Sequence, residues 1–391
     1  MIDVIHVITP GDHYSPRTGS AIPTVVHGLA SAAAKDEDAV RHSVVVEAST
    51  MRPRYESAAA IEYRGVPGPS RRDRYLDLVR GTLGWPRSAV GRYYEPIAET
   101  IRHLKPSIVL AHNAPILPWL LRDSPHKVLL YAHNDLLRTF TKAEVSRMLG
   151  SVSAIVCVSE SLAEQTRHRL PRNLAHIVHV VGNGVDVAQF TPAWTAGDDE
   201  PAAERASRGK PLRILFVGRM IPNKGADVLV RAATMLERDD LEFVVVGSHG
   251  FDRSAPLSPY ERRLRGLAGE SPARICFEPF VDRAALPELL SSAGILVVPS
   301  RWADPCPLAA GEGLATGLPI VASRVGGLPE VIGPAGRYVA PDDPAALAAA
   351  LADLVGDWQL RRRMAAEARA RAAAHDWSWA WANLRGILET L

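Results

Sequence analysis

The sequence is poor in cysteine, poor in lysine and nearly empty of net charge. Its three cysteines, Cys157, Cys276 and Cys306, are too few and too scattered for a disulfide framework or a zinc site, so a reducing compartment is expected. The formal net charge is +2, from 45 basic and 43 acidic side chains, which gives no global argument for a nucleic-acid partner. Only six of the basic residues are lysine; that bias reads as codon usage and carries no function. No apolar run approaches the roughly 18 residues of a membrane span. The run 345–355 is broken by Asp353 and reads as a buried helix. The opening MIDVIHVITP lacks the basic and apolar regions of a secretory signal, so a cytoplasmic protein is expected. No HExxH constellation occurs, and Asp239-Asp240 and Asp342-Asp343 read as turn residues, so no metal is expected.

What is there is an ordinary globular composition, 47% hydrophobic and 23% charged, over 391 residues, enough for two domains. The texture alternates strand and helix. The spacing predicts strands at 3–9, 42–47, 107–111, 127–132, 154–158 and 177–181, with helices at 22–34 and 96–104. A polar, Pro- and Gly-punctuated stretch at 191–210 reads as a linker. A second series follows, with strands at 213–217, 242–246, 274–277, 295–298 and 320–322 and a helix at 226–237. Apolar strands spaced by helices imply parallel sheets covered on both faces. The reading is therefore two Rossmann-like α/β domains, 1–190 and 211–370, facing across a cleft at the carboxyl ends of their strands.

Three segments carry chemistry. Small residues at Gly19-Ser20, before the first helix, let a backbone approach an anion at a helix N-terminus. Gly218-Arg219 and Lys224-Gly225 place two cations five residues apart beyond one strand, a fork and a point charge suited to phosphate. In PSRWADPCPLAAGEGLATGLPIVASRVGGLPEVI, Asp304 and Glu312 are eight residues apart, a little over two helical turns. With Asp304 in the loop and Glu312 deeper in the helix, both face one ligand and accept hydrogen bonds from vicinal hydroxyls. Amides at Leu308, Ala309 and Ala310 would open that helix toward a diphosphate. Trp302 either walls this site or packs. The segment 70–94 departs from the alternation: Arg71, Arg72, Arg74, Arg80, Arg87 and Arg92 interleave with Tyr75, Leu76, Leu78, Leu83, Trp85 and Tyr93. It reads either as a solvated face or as a surface for an anionic acceptor or a membrane.

These motifs, in order, resemble the retaining glycosyltransferases of family 4, of GT-B fold. The donor signature is a carboxylate, seven residues, a glutamate, a small-residue turn, Pro-Ile-Val-Ala-Ser and Gly-Gly-x-Pro-Glu. Gly218-Arg219…Lys224-Gly225, Gly182-Asn183-Gly184-Val185-Asp186…Phe190, and the strand ends at Ala111-His112-Asn113 and Ala132-His133-Asn134 resemble further parts of the family. The resemblance implies a nucleotide-diphosphate sugar, UDP first and GDP next, as donor substrate, with no cofactor and no metal. It implies transfer to an acceptor hydroxyl on a glycan, a lipid-linked sugar or a small molecule, in cell-surface polysaccharide, glycolipid or natural-product glycosylation. It assigns His133, Arg219, Lys224 and Asp304 to catalysis. It assigns Gly19, Ser20, Gly218, Arg219, Lys224, Asp304, Cys306, Pro307, Leu308, Ala309 and Glu312 to the donor, and His13, His112, Asn113 and Asn134 to the acceptor side. The last helix, 371–391, is expected to cross back to the first domain, and 70–94 is the segment through which any peripheral contact with the inner face of the membrane would run.

Two departures bear on the sugar pocket. Asp304 stands where glutamate is usual, and Pro307, which has no N–H, where glycine is common. Cys306 stands where an aromatic is common, as a packed small residue or a reactive thiol. A nucleotide-sugar epimerase of the same fold and a non-catalytic nucleotide-sugar-binding paralogue remain alternatives. A dinucleotide dehydrogenase is disfavoured, because no G-x-G-x-x-G follows the first strand. A phosphorylase lacks an evident cofactor-lysine context.

Overall fold

The computed structural model describes residues 3–36, 40–192, 211–236 and 238–391. They form two compact units, one of residues 1–183 with 377–391 and one of residues 184–376.

The first unit holds seven strands, all parallel: β1 (Asp3–Val7), β2 (Arg41–Glu47), β3 (Ala59–Tyr63), β4 (Ile108–His112), β5 (Lys127–Ala132), β6 (Ala154–Cys157) and β7 (Val178–Val180). Their order is β3-β2-β1-β4-β5-β6-β7. Every residue of β4 and β6 is buried, as expected where helices cover both faces. β3 escapes a hydrophobic reading because it is an edge strand with only Tyr63 buried. The helix expected at 96–104 runs over Ser88–Arg102 with Pro96 inside it. The Pro96 carbonyl accepts from the Thr100 hydroxyl at 2.7 Å.

The second unit holds β8 (Leu212–Val217), β9 (Leu241–Val246), β10 (Ile275–Glu278), β11 (Ile295–Val298), β12 (Ile320–Ser323) and β13 (Gly336–Val339), again all parallel. The order is β10-β9-β8-β11-β12-β13. β13 has no fully buried residue, and its sequence offers no apolar run. In both sheets the order reverses beside the first strand, between β1 and β4 and between β8 and β11. Such a reversal opens a crevice at the strands' carboxyl ends.

The domain boundaries differ from the sequence expectation. Residues 184–190 belong to the second unit, because Val185 and Phe190 are buried in its core. Arg369 fixes this stretch by donating to the carbonyls of Val187 at 2.8 Å and Phe190 at 2.7 Å. The return to the first unit begins at Trp377, since Val185 pairs with Asp376 in an isolated bridge. The Trp377–Leu388 helix packs on the first unit. Trp381 is buried and its indole N–H donates to Asp36 at 2.5 Å. Most of the expected linker, 193–210, lies outside the described residues. Among the described residues no helix is long and apolar enough to cross a membrane.

Candidate functional site

In the second unit three strand ends are locked together. The loop after β8 turns at Gly225, with φ of +72°; a Cβ there would lie 2.0 Å from the carbonyl oxygen of Pro299, after β11. The turn after β12 uses Gly326, with φ of +60°; a Cβ there would lie 2.6 Å from the Asp304 oxygen. Only glycine tolerates both the left-handed backbone and the approach. The Gly327 amide donates to the Asp304 carbonyl at 2.8 Å and the Arg301 amide to the Asn223 carbonyl at 2.9 Å. The Arg301 guanidinium adds 2.7 Å bonds to both oxygens of Asp227 and a 2.9 Å bond to the Pro222 carbonyl. Burial alone would raise the Asp227 carboxyl; hydrogen bonds from Arg301 and Tyr260 prevail and hold it below the usual range. Neither Asp227 nor Arg301 is marked by the motif, since their role is to fasten the loops that carry it.

Within this frame the ammonium of Lys224 pairs with the carboxylate of Asp304, which is buried. The same ammonium lies 5.9 Å from the Trp302 ring centre, and the Trp302 indole N–H is buried without a partner among the described residues. Glu312 lies in the Leu308–Ala315 helix, buried, and accepts from Arg283 at 2.6 Å. Arg283 was not foreseen; it sits in a loop with no motif, and nothing local in the sequence marks it. Arg219 is exposed and makes no ion pair with any described residue. Cys306 and Pro307 follow Asp304 at the helix entry, Cys306 forming no disulfide. The Ala310 amide already donates to the Pro307 carbonyl at 3.1 Å, so it is removed from the anion-binding set; Leu308 and Ala309 stay at the helix start. Arg219, Lys224, Asp304, Glu312 and Gly218 thus occupy the ends of β8 and β11, at the reversal of strand order.

The first unit is different in kind. Ser20 stands at the N-cap position of the Ala21–Ala33 helix without a capping bond; its amide donates to the Thr18 hydroxyl at 3.2 Å and its own hydroxyl to Asp12 at 2.7 Å. The Ser20 amide is therefore already engaged by its own loop. Burial raises the Asp12 carboxyl above its usual value. His13 accepts from the Met51 amide at 3.3 Å. Asn113, in the left-handed region at φ of 52°, accepts the His133 amide at 2.8 Å. Asn134 is exposed. His112, expected on the acceptor side, has no exposed surface; it lies against His133, with 2.8 Å between ring nitrogens. It can reach a ligand only through that neighbour.

In the segment 70–94, Ser70 and Asp73 form a capping box on the Arg71–Thr82 helix, and Asp77 is buried as the N-terminal partner of the Ser88–Arg102 helix. Arg87 is structural: it bonds Glu144 at 3.0 Å and stacks on Phe140 at 3.6 Å. Arg71, Arg72 and Arg74 are exposed beside Tyr75, Leu76, Leu78, Val79, Leu83 and Trp85, which are also exposed.

Comparison with known proteins gives these features a family. Residues 198–371 match the group described as Glycosyl transferases group 1, and residues 22–189 match Glycosyltransferase Family 4. The Bacillus subtilis Spore coat protein SA is 30% identical over 287 residues, 70% of this chain and 75% of that one. A D-inositol 3-phosphate glycosyltransferase of Streptomyces avermitilis is 34% identical over 248 residues, 58% of this chain; the match spans about half of that relative, 51%. Among solved structures, sucrose-phosphate synthase of Thermosynechococcus elongatus aligns with a TM-score of 0.74 at 19% identity, over 100% of this chain and 99% of that one. HepE of Anabaena, in complex with UDP and glucose, aligns with a TM-score of 0.73 at 16% identity over 100% of both chains. Two parallel sheets of matching order, a match to each in sequence, and a relative aligned over three quarters of its length place this chain in glycosyltransferase family 4, of GT-B fold, among the group 1 glycosyl transferases.

Proposed function

We propose that the protein is a retaining glycosyltransferase that moves a hexosyl-type sugar from a nucleotide-diphosphate sugar, UDP first and GDP next, to an acceptor hydroxyl. The observation that carries this reading is the charge set at the ends of β8 and β11: exposed Arg219, Lys224 paired with Asp304, and buried Glu312. A diphosphate arriving at Arg219 competes with Asp304 for the Lys224 ammonium. The exchange leaves Asp304 open to sugar hydroxyls while Arg219 and Lys224 take up the phosphate charge. Glu312, held by Arg283, takes the ribose hydroxyls. UDP as the base is supported by HepE, solved with UDP and with UDP-glucose.

In this reading the bond from the anomeric carbon to the phosphate oxygen breaks as the acceptor oxygen bonds to the same carbon on the same face. The acceptor proton passes to the departing phosphate oxygen, and the anomeric configuration is kept. Arg219 and Lys224 stabilise the charge that grows on the leaving phosphate, a contribution that is usually large. The step needs no side-chain nucleophile and, in this reading, no metal or cofactor.

The acceptor belongs to cell-surface glycan or glycolipid assembly, or to natural-product glycosylation, at the cytoplasmic side. Exposed Leu76, Leu83 and Trp85 beside Arg71, Arg72 and Arg74 support a peripheral contact with anionic membrane. Thermal shift with UDP, GDP and ADP tests the donor reading: one nucleotide stabilises the protein, and Lys224→Ala and Glu312→Ala abolish the shift. No response to any nucleotide sinks it. Product analysis separates transfer from epimerisation, which leaves the sugar on its nucleotide.

A further inference from the structure

Four histidines cross the first sheet in one line. The Nδ1 of His42 lies 2.7 Å from the Nε2 of His6, the Nδ1 of His6 2.9 Å from the Nε2 of His112, and the Nδ1 of His112 2.8 Å from the Nε2 of His133. Register explains the line. His42 pairs with Val4, two residues before His6; His6 pairs with Leu110, two before His112; His112 pairs with Tyr131, two before His133. Steps of two keep all four side chains on one face, each reaching diagonally to the next strand. The ring planes of successive histidines are inclined by only 26°, 20° and 21°. With nitrogens in contact, the rings therefore lie edge to edge as a ribbon. Trp381 closes the His42 end, edge-on at 5.0 Å, and Tyr131 flanks His133 at 4.8 Å.

The ribbon is neutral. Burial holds all four imidazoles below their usual range, His42 down to about 4 and His133 down to about 3. A neutral imidazole has one N–H and one bare nitrogen. His6 and His112 use both nitrogens inside the ribbon, so each donates once and accepts once. Every bond must then run the same way, and only two arrangements satisfy all three. In one, each Nδ1 donates, leaving a bare Nε2 on His42 and an N–H at Nδ1 of His133. In the other, each Nε2 donates, leaving an N–H at Nε2 of His42. The His42 Nε2 is buried and has no partner among the described residues. Orphaned buried N–H groups are rarer in proteins than under-satisfied acceptors, which favours the first arrangement. Among the described residues none partners that nitrogen to supply or remove a proton, so the ribbon has no relay at this end.

We propose that His42, His6 and His112 are positioning residues that lock His133 in its Nδ1–H tautomer, so that His133 presents a hydrogen-bond donor and not a base. His133 stands just beyond the end of β5 and keeps 8% of its surface exposed, whereas His6 and His112 keep none. Its outer nitrogen then suits an oxygen of the ligand, a sugar hydroxyl or phosphate, and cannot take the acceptor's proton. The ligand part of this inference rests on the proposed function; the tautomer part does not.

The test is the ring nitrogen spectrum of the full-length protein labelled with ¹⁵N-histidine. At pH 7.5 His133 is expected to carry its proton on Nδ1, with His6, His42 and His112 in the same tautomer. A His133 protonated on Nε2, or a mixture of tautomers along the ribbon, overturns the proposal. His42→Asp puts an acceptor-only carboxylate oxygen near the place of Nδ1 and reverses all bonds: His133 then moves its proton to Nε2, three hydrogen bonds away. A folded His42→Asp protein with an unchanged His133 spectrum also overturns it. Should that variant fail to fold, the wild-type spectrum and His42→Asn, whose amide can still donate to His6, decide the matter; His42→Asn keeps the Nδ1–H signature. As a separate readout, His42→Asp weakens UDP-glucose binding about tenfold while leaving UDP binding unchanged. Failure of that arm alone, with the spectra as expected, falls on the ligand reading and not on the lock.

Discussion

The two sheets share one strand order over six strands, the first adding a seventh at its edge, and each carries a polar device at its point of reversal, yet the devices are opposites. In the second unit the polar groups are charged and are anchored by ion pairs, Lys224 with Asp304, Glu312 with Arg283 and Asp227 with Arg301. In the first they are neutral imidazoles that satisfy one another within an apolar sheet. A charged cluster suits a site that must exchange partners with an anion. A neutral ribbon suits a site that must offer one fixed donor without desolvating a charge, which is costly in a buried sheet. The same topology therefore supports two ways of presenting polarity.

That contrast can be broken at several points. The largest effect is expected for Lys224→Ala, which removes a cation from the developing phosphate charge. Transfer from UDP-glucose should fall by about 10²–10³ in kcat with the fold intact. A kcat within a factor of three of wild type would show that the charged device is only structural. Asp227→Ala removes one of the two carboxylates on Arg301, which keeps Asp342 and the Pro222 carbonyl and is a quarter exposed, so the loss is discounted to about 1–2 kcal/mol. A urea midpoint unchanged in that variant would deny the loop-fastening role.

Acid should discriminate between the two units. The histidine values are depressed in the folded state, so the unfolded chain binds more protons below its usual value of about 6.5. Stability is therefore complete above about 6.5 and declines as the pH falls from there through about 4 for His42 and about 3 for His133. The slope is up to about 1.4 kcal/mol per pH unit for each histidine. Urea unfolding between pH 7.5 and 5 should be steeper for wild type than for His6→Phe measured against its own value at pH 7.5. Equal slopes would show that the ribbon does not titrate with unfolding. The smallest effect is expected at the surface. Leu83→Ser should leave stability within about 0.5 kcal/mol. With Arg72→Glu it should nevertheless lower sedimentation with phosphatidylglycerol vesicles, and the wild-type association should weaken with salt. Salt-independent association would remove the membrane contact.

Much of this architecture was legible because buried parallel strands write continuous apolar runs, as at 127–132 and 295–298. Edge strands β3 and β13 were not, because a half-buried strand leaves no such run. The second unit's site was legible in the spacing of Asp304 and Glu312 and in Arg219 and Lys224. Arg283 was not, since its partner Glu312 lies 29 residues away and only the fold joins them. The histidine line was visible only in part. His133 and His112 were singled out at strand ends, but His6 and His42 sit inside apolar strands, and their alignment depends on register, which single-strand patterns do not contain. The segment 70–94 was marked as exceptional, yet the composition could not tell exposed Arg72 from Arg87, which is tied to Glu144.

The pairing of Val185 with Asp376 has a consequence for how this chain could be taken apart. The polypeptide leaves the first unit after Asn183 and rejoins it at Trp377, and the second unit's entry and exit segments meet at that single bridge. In genetic terms the second unit is an insert whose two ends already meet. Excising 184–376 as a single piece would cut the chain at two neighbouring points, and a short graft across that gap would rejoin the first unit to its own terminal helix. An insert with adjoining ends is the arrangement that tolerates transplantation best.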